Sequence, residues 1–239
     1  MKKQVLLATL CLAAFTGSSF AQGLSVKSAE LSISVGGTSS SEKPFTIGAP
    51  QSSTPINGVL QLNSGKIYEA RVNFFNSKHI GSEFLYGYQY SGVGFNRNTA
   101  PVGSFNVPLQ VQTLNLNLLY YPLGETTSAW RPFLSIGGGA VIYRPSTGGQ
   151  ASAKDPLQGN FDTFFESSQG SGAVGGGVKH PISKSLGFRL DASAMFTKVP
   201  TFGLPKSSTQ SNAIVLPVGG LVHSVRASAG VIIYLGKSK

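Results

Sequence analysis

The sequence lacks several features that exported or membrane proteins commonly use. Cysteine occurs once among 239 residues, so no disulfide can form within the chain. Charged residues make up only 12%, which is low for a soluble surface. Past the N-terminal segment, no apolar run is long enough for a membrane-spanning helix, which needs about 20 residues. The fold must therefore be held by packing and hydrogen bonding alone.

The N-terminal segment has the pattern of a cleaved signal peptide. Two lysines precede an apolar stretch from Val5 to Phe15, and Ser19-Phe20-Ala21 is a small-x-small cleavage site. Cys11 lies inside the apolar stretch, so cleavage leaves a mature chain without cysteine. We predict that residues 1–21 are removed and that residues 22–239 form a single exported domain, because this length suits one large all-β unit.

The charge balance is basic, with a formal net charge of +10. The lysines and arginines are scattered along the chain and form no cluster of the kind that binds nucleic acid. Attraction to anionic head groups is the simpler interpretation for an exported chain. We therefore predict outer-membrane lipid and lipopolysaccharide as partners, and no nucleic acid.

Alternation of apolar and polar residues is the dominant pattern and predicts β-strands. It is clearest from Leu186 to Phe196, where apolar residues alternate with Gly187, Arg189, Asp191 and Ser193. Eight such segments occur: Leu31–Val35, Tyr68–Phe74, Phe84–Tyr90, Leu114–Tyr120, Pro132–Tyr143, Gln169–Lys179, Leu186–Phe196 and Leu221–Leu235.

The fourth segment contains a change of parity. Leu109 and Val111 fall on odd positions, whereas the apolar residues from Leu114 to Tyr120 fall on even ones. A β-bulge shifts side chains from one face to the other. The pattern therefore predicts a bulge near Gln112 or Thr113.

The connections between segments alternate in length. Residues 37–64, 91–108, 144–165 and 198–217 form long polar connections, whereas the turns at 76–79, 122–131 and 180–184 are short. Short periplasmic turns and longer external loops are typical of outer-membrane barrels, which must close because hydrocarbon offers no partner for a free strand edge. We predict an all-β fold: a closed, up-and-down, antiparallel transmembrane β-barrel of eight strands.

Three stretches resemble the small outer-membrane β-barrel family of Gram-negative bacteria: NLLYYP ending at Pro122, RPFLSIGGGA ending at Ala140, and GGGVKHPISKSLGFRLD ending at Asp191. The resemblance covers the mature chain and implies an eight-stranded barrel in the cell outer membrane, placed there by the barrel-insertion machinery. Members of this family usually end on an aromatic residue, whereas here Tyr234 and Leu235 are followed by Gly-Lys-Ser-Lys.

No motif predicts a catalytic, metal or cofactor site. Residues 170–175 spell G-x-G-x-x-G, but a turn and a strand follow instead of the helix that a dinucleotide site requires. The three histidines, His79, His180 and His223, have no ligand spacing. Ser224 follows His223 directly, and neighbouring strand residues point to opposite faces, which argues against a hydrolytic pair.

One set of charges shares the inward-facing parity of the predicted strands. In a barrel of eight strands the interior is just wide enough to be filled by side chains, so paired charges would form a plug, whereas unpaired ones would line a conduit. This predicted lumen charge network consists of Glu69, Arg71, Glu83, Lys179, Arg189, Asp191 and Arg226.

These observations favour a non-enzymatic outer-membrane barrel that is structural or presents surface loops to an unidentified ligand. The main alternative is a narrow pore for small solutes. Two further alternatives are a soluble secreted β-sandwich or adhesin and a lipid-modifying outer-membrane enzyme.

Overall fold

The computed structural model describes residues 28–47, 56–75, 77–97, 103–124, 130–148, 165–203, 206 and 219–235. The predicted signal peptide lies outside the described residues. Among the described residues, no helix is long and apolar enough to cross a membrane.

The described chain is almost entirely strand. Ten strands follow one another: β1 (Ser28–Ser40), β2 (Glu42–Ile47), β3 (Ile56–Leu62), β4 (Gly65–Phe75), β5 (Ile80–Arg97), β6 (Gly103–Tyr120), β7 (Arg131–Pro145), β8 (Ser167–Pro181), β9 (Leu186–Lys198) and β10 (Leu221–Leu235).

Eight of these strands, β1 and β4 to β10, form a closed antiparallel barrel. Each pairs with its neighbours around the ring, and β1 closes the ring by pairing with β10, with Leu31 opposite Ile233. The predicted eight-stranded, up-and-down barrel is therefore confirmed. We call the end with the connections β4–β5, β6–β7 and β8–β9 the turn end, and the opposite end the loop end.

The two faces of the wall differ as the alternation predicted. Along β9, Leu190 points outward and is 42% exposed, whereas the flanking Arg189 is buried in the interior. Along β1, Ile33 and Val35 are exposed on the outside, and Ser32 and Ser34 are buried inside. The apolar face is on the outside of a closed ring, so the β-sandwich alternative is wrong.

Two of the predicted long connections contain regular strands. The range 37–64 includes the end of β1 and the hairpin of β2 and β3, and the range 91–108 is largely the continuation of β5 and β6. β3 pairs with β5 at Leu62 opposite Val93, and β5 remains paired with β6 up to Arg97 opposite Gly103. Polar composition and turn residues suggested loops, but the cross-strand pairing continues past the barrel rim.

The predicted bulge in β6 is wrong. Pairing with β5 runs without interruption from Gly103 to Tyr120, so Leu109 and Val111 share the inward face with Thr113 and Asn115. The change of parity marks a change in the interior instead. Inward positions are polar in the middle of the barrel and apolar at its loop end.

Glycine in β7 allows its close approach to β6. A side chain at Gly139 would come within 1.8 Å of the Leu114 carbonyl oxygen, and one at Gly137 within 2.1 Å of the Leu116 carbonyl oxygen. The G-x-G-x-x-G stretch at 170–175 likewise lies within a strand, β8, and opens no helix.

Candidate functional site: the filled lumen

All seven residues of the predicted lumen charge network lie inside the barrel. Six are buried, and Asp191 has a side chain that is 10% exposed. They divide into two groups at different depths. The charged layer, at the middle of the barrel, comprises Glu69, Arg71, Glu83, Arg189, Asp191 and Arg226, and Lys179 lies nearer the turn end.

Arg71 is the centre of the charged layer. Its Nη2 donates to Glu69 Oε2 at 2.6 Å and to Asp191 Oδ1 at 2.9 Å. Its Nη1 donates to the hydroxyl oxygen of Ser34 at 2.6 Å. One guanidinium thus joins side chains from β1, β4 and β9, which fixes how these strands face one another across the interior.

Arg189 makes the second set of ion pairs. Its Nη1 donates to Glu83 Oε2, and its Nε donates to Asp191 Oδ2 at 2.9 Å. Arg226 joins through Glu69, with 3.6 Å between Nη1 and Oε1. Carboxylates and guanidinium groups alternate through the layer, so each buried charge has an opposite charge beside it, as burial at low dielectric requires.

Lys179 belongs to a separate turn-end cluster. Its Nζ donates to Glu30 Oε2 and, at 2.9 Å, to the Tyr121 hydroxyl. Arg131 approaches Glu30 at 3.9 Å and lies 4.7 Å from the centre of the Tyr121 ring. The rings of Phe75, Tyr121 and Phe133 surround this ammonium at 5.4 to 5.7 Å from their centres.

Sequence reasoning missed two members of this cluster, Glu30 and Arg131. Glu30 lies one residue before the first predicted strand, which begins at Leu31. Arg131 lies one residue before the fifth, which begins at Pro132. Glu30 has the parity of the inward Ser32 and Ser34, so extending the pattern by one residue would have found it. With both included, the described lumen contains five cations and four carboxylates.

The loop end of the lumen is apolar. Buried inward residues of three strands, β5, β6 and β7, line it, and Phe202, which follows β9, is fully buried at φ 52°. A positive φ is rare for a bulky residue. Phe202 also receives a hydrogen bond, from Phe165 N to its carbonyl oxygen at 2.9 Å. This apolar layer comprises Val93, Val107, Leu109, Val141, Tyr143 and Phe202.

Little space remains within the charged layer. A cavity of about 20 Å³ lies among Arg71, Glu83, Arg189 and Arg226. That volume holds about one water molecule. The arrangement can hold the wall together electrostatically.

The three histidines each contact an aromatic ring near an end of the wall. His79 stacks on Tyr120 with 6.4 Å between ring centres, His180 lies 4.5 Å from Trp130, and His223 meets Phe196 edge-on at 5.1 Å. Among the described residues, no group of three or more histidine, cysteine or acidic side chains could hold a metal ion.

Comparison with known proteins identifies the fold. The outer membrane protein OprG of Pseudomonas aeruginosa matches with a TM-score of 0.58 and 13% identity, over 88% of this chain and 98% of OprG. Outer membrane protein AlkL, determined in lipid bilayers, matches with a TM-score of 0.51 and 12% identity, over 91% of this chain and 95% of AlkL. No protein-family model and no curated protein matches the sequence. The fold is that of an outer-membrane β-barrel.

Proposed function

We propose that this chain is a non-conducting, non-enzymatic barrel of the cell outer membrane, which displays a rigid β-sheet beyond its loop end. The filling of the lumen carries the proposal. The charged layer leaves a cavity of about 20 Å³, and the turn-end cluster and the apolar layer lie on either side of it. Three successive layers of different chemistry support a plug rather than a conduit.

The displayed surface is the loop-end sheet, formed by β2, β3 and the adjoining parts of β5 and β6. β4 stops pairing with β5 at Tyr90, whereas β3 and β6 accompany β5 as far as Arg97. Seven further residues of strand extend about 23 Å at the usual rise. Such a paired sheet presents a fixed surface, which suits contact with other molecules better than flexible loops do.

The absence of catalysis is part of the proposal. The histidine contacts support it, because each imidazole packs on a ring of the outer wall. The carboxylates of the charged layer are engaged by arginines and leave no free acid or base there for a reaction. A hydrolase needs a nucleophile and a base within hydrogen-bond reach of each other.

Conductance in planar bilayers tests the plug. We expect purified protein to insert with almost no current, because ions cannot pass paired charges without breaking them. Large, stable, single-step conductance would support the narrow pore instead and would contradict the proposal.

Labelling of intact cells tests membrane location and orientation. The predicted mature chain has no cysteine, so a single new one can be labelled with a membrane-impermeant maleimide. We expect Ser64→Cys, exposed beside the loop-end sheet, to react on intact cells. The matched control Lys184→Cys, exposed at the turn end, should react only after the outer membrane is permeabilised. The reverse result would invert the orientation.

A further inference from the structure

A row of polar side chains crosses the outer wall at the loop end. Strand register places Lys66 opposite Tyr90, Tyr90 opposite Gln110, and Gln110 opposite Arg144. All four have outward parity, and Tyr90 is 60% exposed. Because neighbouring strands lie about 4.8 Å apart, the backbones of Lys66 and Arg144, at the two ends of this polar row, are about 14 Å apart.

The polar row lies where the apolar band of the wall ends. One step toward the turn end, the residues of the same parity are Tyr68, Tyr88, Gln112 and the buried Ile142, and the next steps are mainly apolar. The rings of Tyr88 and Tyr90 meet edge-on with 5.0 Å between their centres. Aromatic residues of this kind mark the boundary between hydrocarbon and head groups. Tyr90 therefore lies at the depth of lipid head groups, and because barrel strands are tilted, the row runs obliquely across this boundary.

We propose that the polar row binds the head group of a glycolipid that has two phosphates on a sugar backbone. Lys66 and Arg144 would each bind one phosphate, and Tyr90 and Gln110 would hydrogen-bond to the sugar between them. The inference rests on the proposed location in an outer membrane. With the two backbones about 14 Å apart, two phosphates can each meet one cation without the two long side chains having to bend toward each other.

Arg144 is held in position for this contact. Its Nε donates to Glu166 Oε2 at 2.8 Å, and both side chains are about one-third exposed. The pair restrains the guanidinium on the wall, and arginine binds phosphate through a planar set of donors. Tyr90 and Gln110 are placed by the backbone register of β5 and β6 and need no loop to bring them together.

The opposite wall provides a matched control. Lys198 is exposed at the loop end of β9, and its neighbour across the strand pair is Leu221. It has the same charge and the same approximate depth as Lys66, but its described partner in β10 is apolar. Lys198→Gln therefore removes one loop-end charge without touching the polar row.

Lipid binding by the folded full-length mature protein tests the proposal. Protein in neutral detergent micelles is titrated with bisphosphorylated lipid A, monophosphorylated lipid A or phosphatidylglycerol, and bound lipid is counted by native mass spectrometry. We expect the bisphosphorylated lipid to bind best. The variant Lys66→Gln/Arg144→Gln should lose about tenfold or more in affinity for it, as expected for charged hydrogen bonds, and Lys198→Gln less than about twofold.

Two results would overturn the inference: equal affinity for phosphatidylglycerol, or an equal loss in Lys198→Gln, since either would mean diffuse charge attraction. Heat-modifiable mobility on gels checks that each variant is folded. If the double variant does not fold, the single variants Lys66→Gln and Arg144→Gln are compared with Lys198→Gln by the same criteria. A wild-type chain absent from outer-membrane fractions would contradict the proposed function, whereas an inserted barrel without lipid preference would contradict this inference alone.

Discussion

The charged layer and the apolar layer fill the barrel interior in two different ways. Both fill the same lumen with buried side chains, but the charged layer comes from β4, β5, β9 and β10 and the apolar layer mainly from β5, β6 and β7. The charged layer consists of a few long side chains whose positions are fixed by directed contacts, such as Arg71 with Glu69 and Asp191. The apolar layer, also of six residues, packs mainly through hydrocarbon contacts without such direction, and the Tyr143 hydroxyl adds one hydrogen bond with Thr197 Oγ1 at 3.0 Å.

The difference concerns what each layer specifies. A buried ion needs its particular partner, so the charged layer ties chosen strands to one another. Apolar packing is less selective and responds mainly to volume. In the charged layer, a second substitution should partly restore the stability lost in the first, whereas in the apolar layer it should not. Reversible unfolding in lipid vesicles measures this difference in the free energy of unfolding.

The largest effect is expected from Arg189→Leu in the charged layer. Removing this guanidinium leaves Glu83 buried without its main partner, which should lower the free energy of unfolding by about 3–5 kcal/mol. The measurement is the urea midpoint and slope of the folded barrel in vesicles.

The double variant Glu83→Leu/Arg189→Leu is the control for this prediction. Because it removes both members of the pair, it should be more stable than Arg189→Leu alone. If the two losses simply add, the contact between these side chains contributes nothing specific, and the description of the charged layer as paired ions is wrong.

A smaller effect is expected in the apolar layer. Val93 and Val107 are both fully buried and lie opposite each other in β5 and β6. Val107→Ala should cost about 2 kcal/mol through lost burial and the cavity it leaves. Unlike the charged pair, Val93→Ala/Val107→Ala should cost at least as much as the worse single variant. If the double variant were instead more stable than the worse single variant, the two layers would not differ in how they respond to a second substitution.

Phe202 allows strain and packing to be separated. Alanine and glycine both remove the ring, but only glycine adopts φ 52° without penalty. We expect Phe202→Gly to be more stable than Phe202→Ala by about 1 kcal/mol, the reverse of the usual order. Unfolding of the two variants side by side measures this, and the usual order would show that the residue relaxes to negative φ.

The smallest effect is expected from the exposed ion pair. Arg144→Gln breaks a contact with Glu166 that has the same chemistry as the charged layer but is about one-third exposed. Solvent screens such pairs, so stability should fall by less than about 1 kcal/mol. A loss comparable to that of Arg189→Leu would mean that burial does not set the strength of these pairs.

Period-two alternation was sufficient to predict the wall. It gave the strand count and the direction of residues such as Leu190 and Arg189, because a barrel with lipid outside and polar groups inside repeats one rule on every strand. It also selected lumen residues without knowledge of their partners. Which carboxylate meets Arg189 could not be read, since the contact joins β9 to β5 across the interior.

The same rule failed where the interior stops being polar. Leu109 and Val111 are apolar and face inward. Because we assumed that every inward residue is polar, we predicted a bulge that does not exist. The burial of Phe202 could not be predicted, because the residue lies after β9, outside any alternating segment. The sheet beyond the rim was missed because pairing partners, not composition, make those residues strands.

Closure of the ring by β1 and β10 has a consequence for biogenesis. Partners such as Leu31 and Ile233 are about 200 residues apart, and the entropy of joining chain ends grows with their separation. Until the final strand is synthesised and exported, β1 remains a sheet edge that invites pairing with other chains. The ring therefore cannot close while only the N-terminal part of the chain is present, and its closure is a late step of folding.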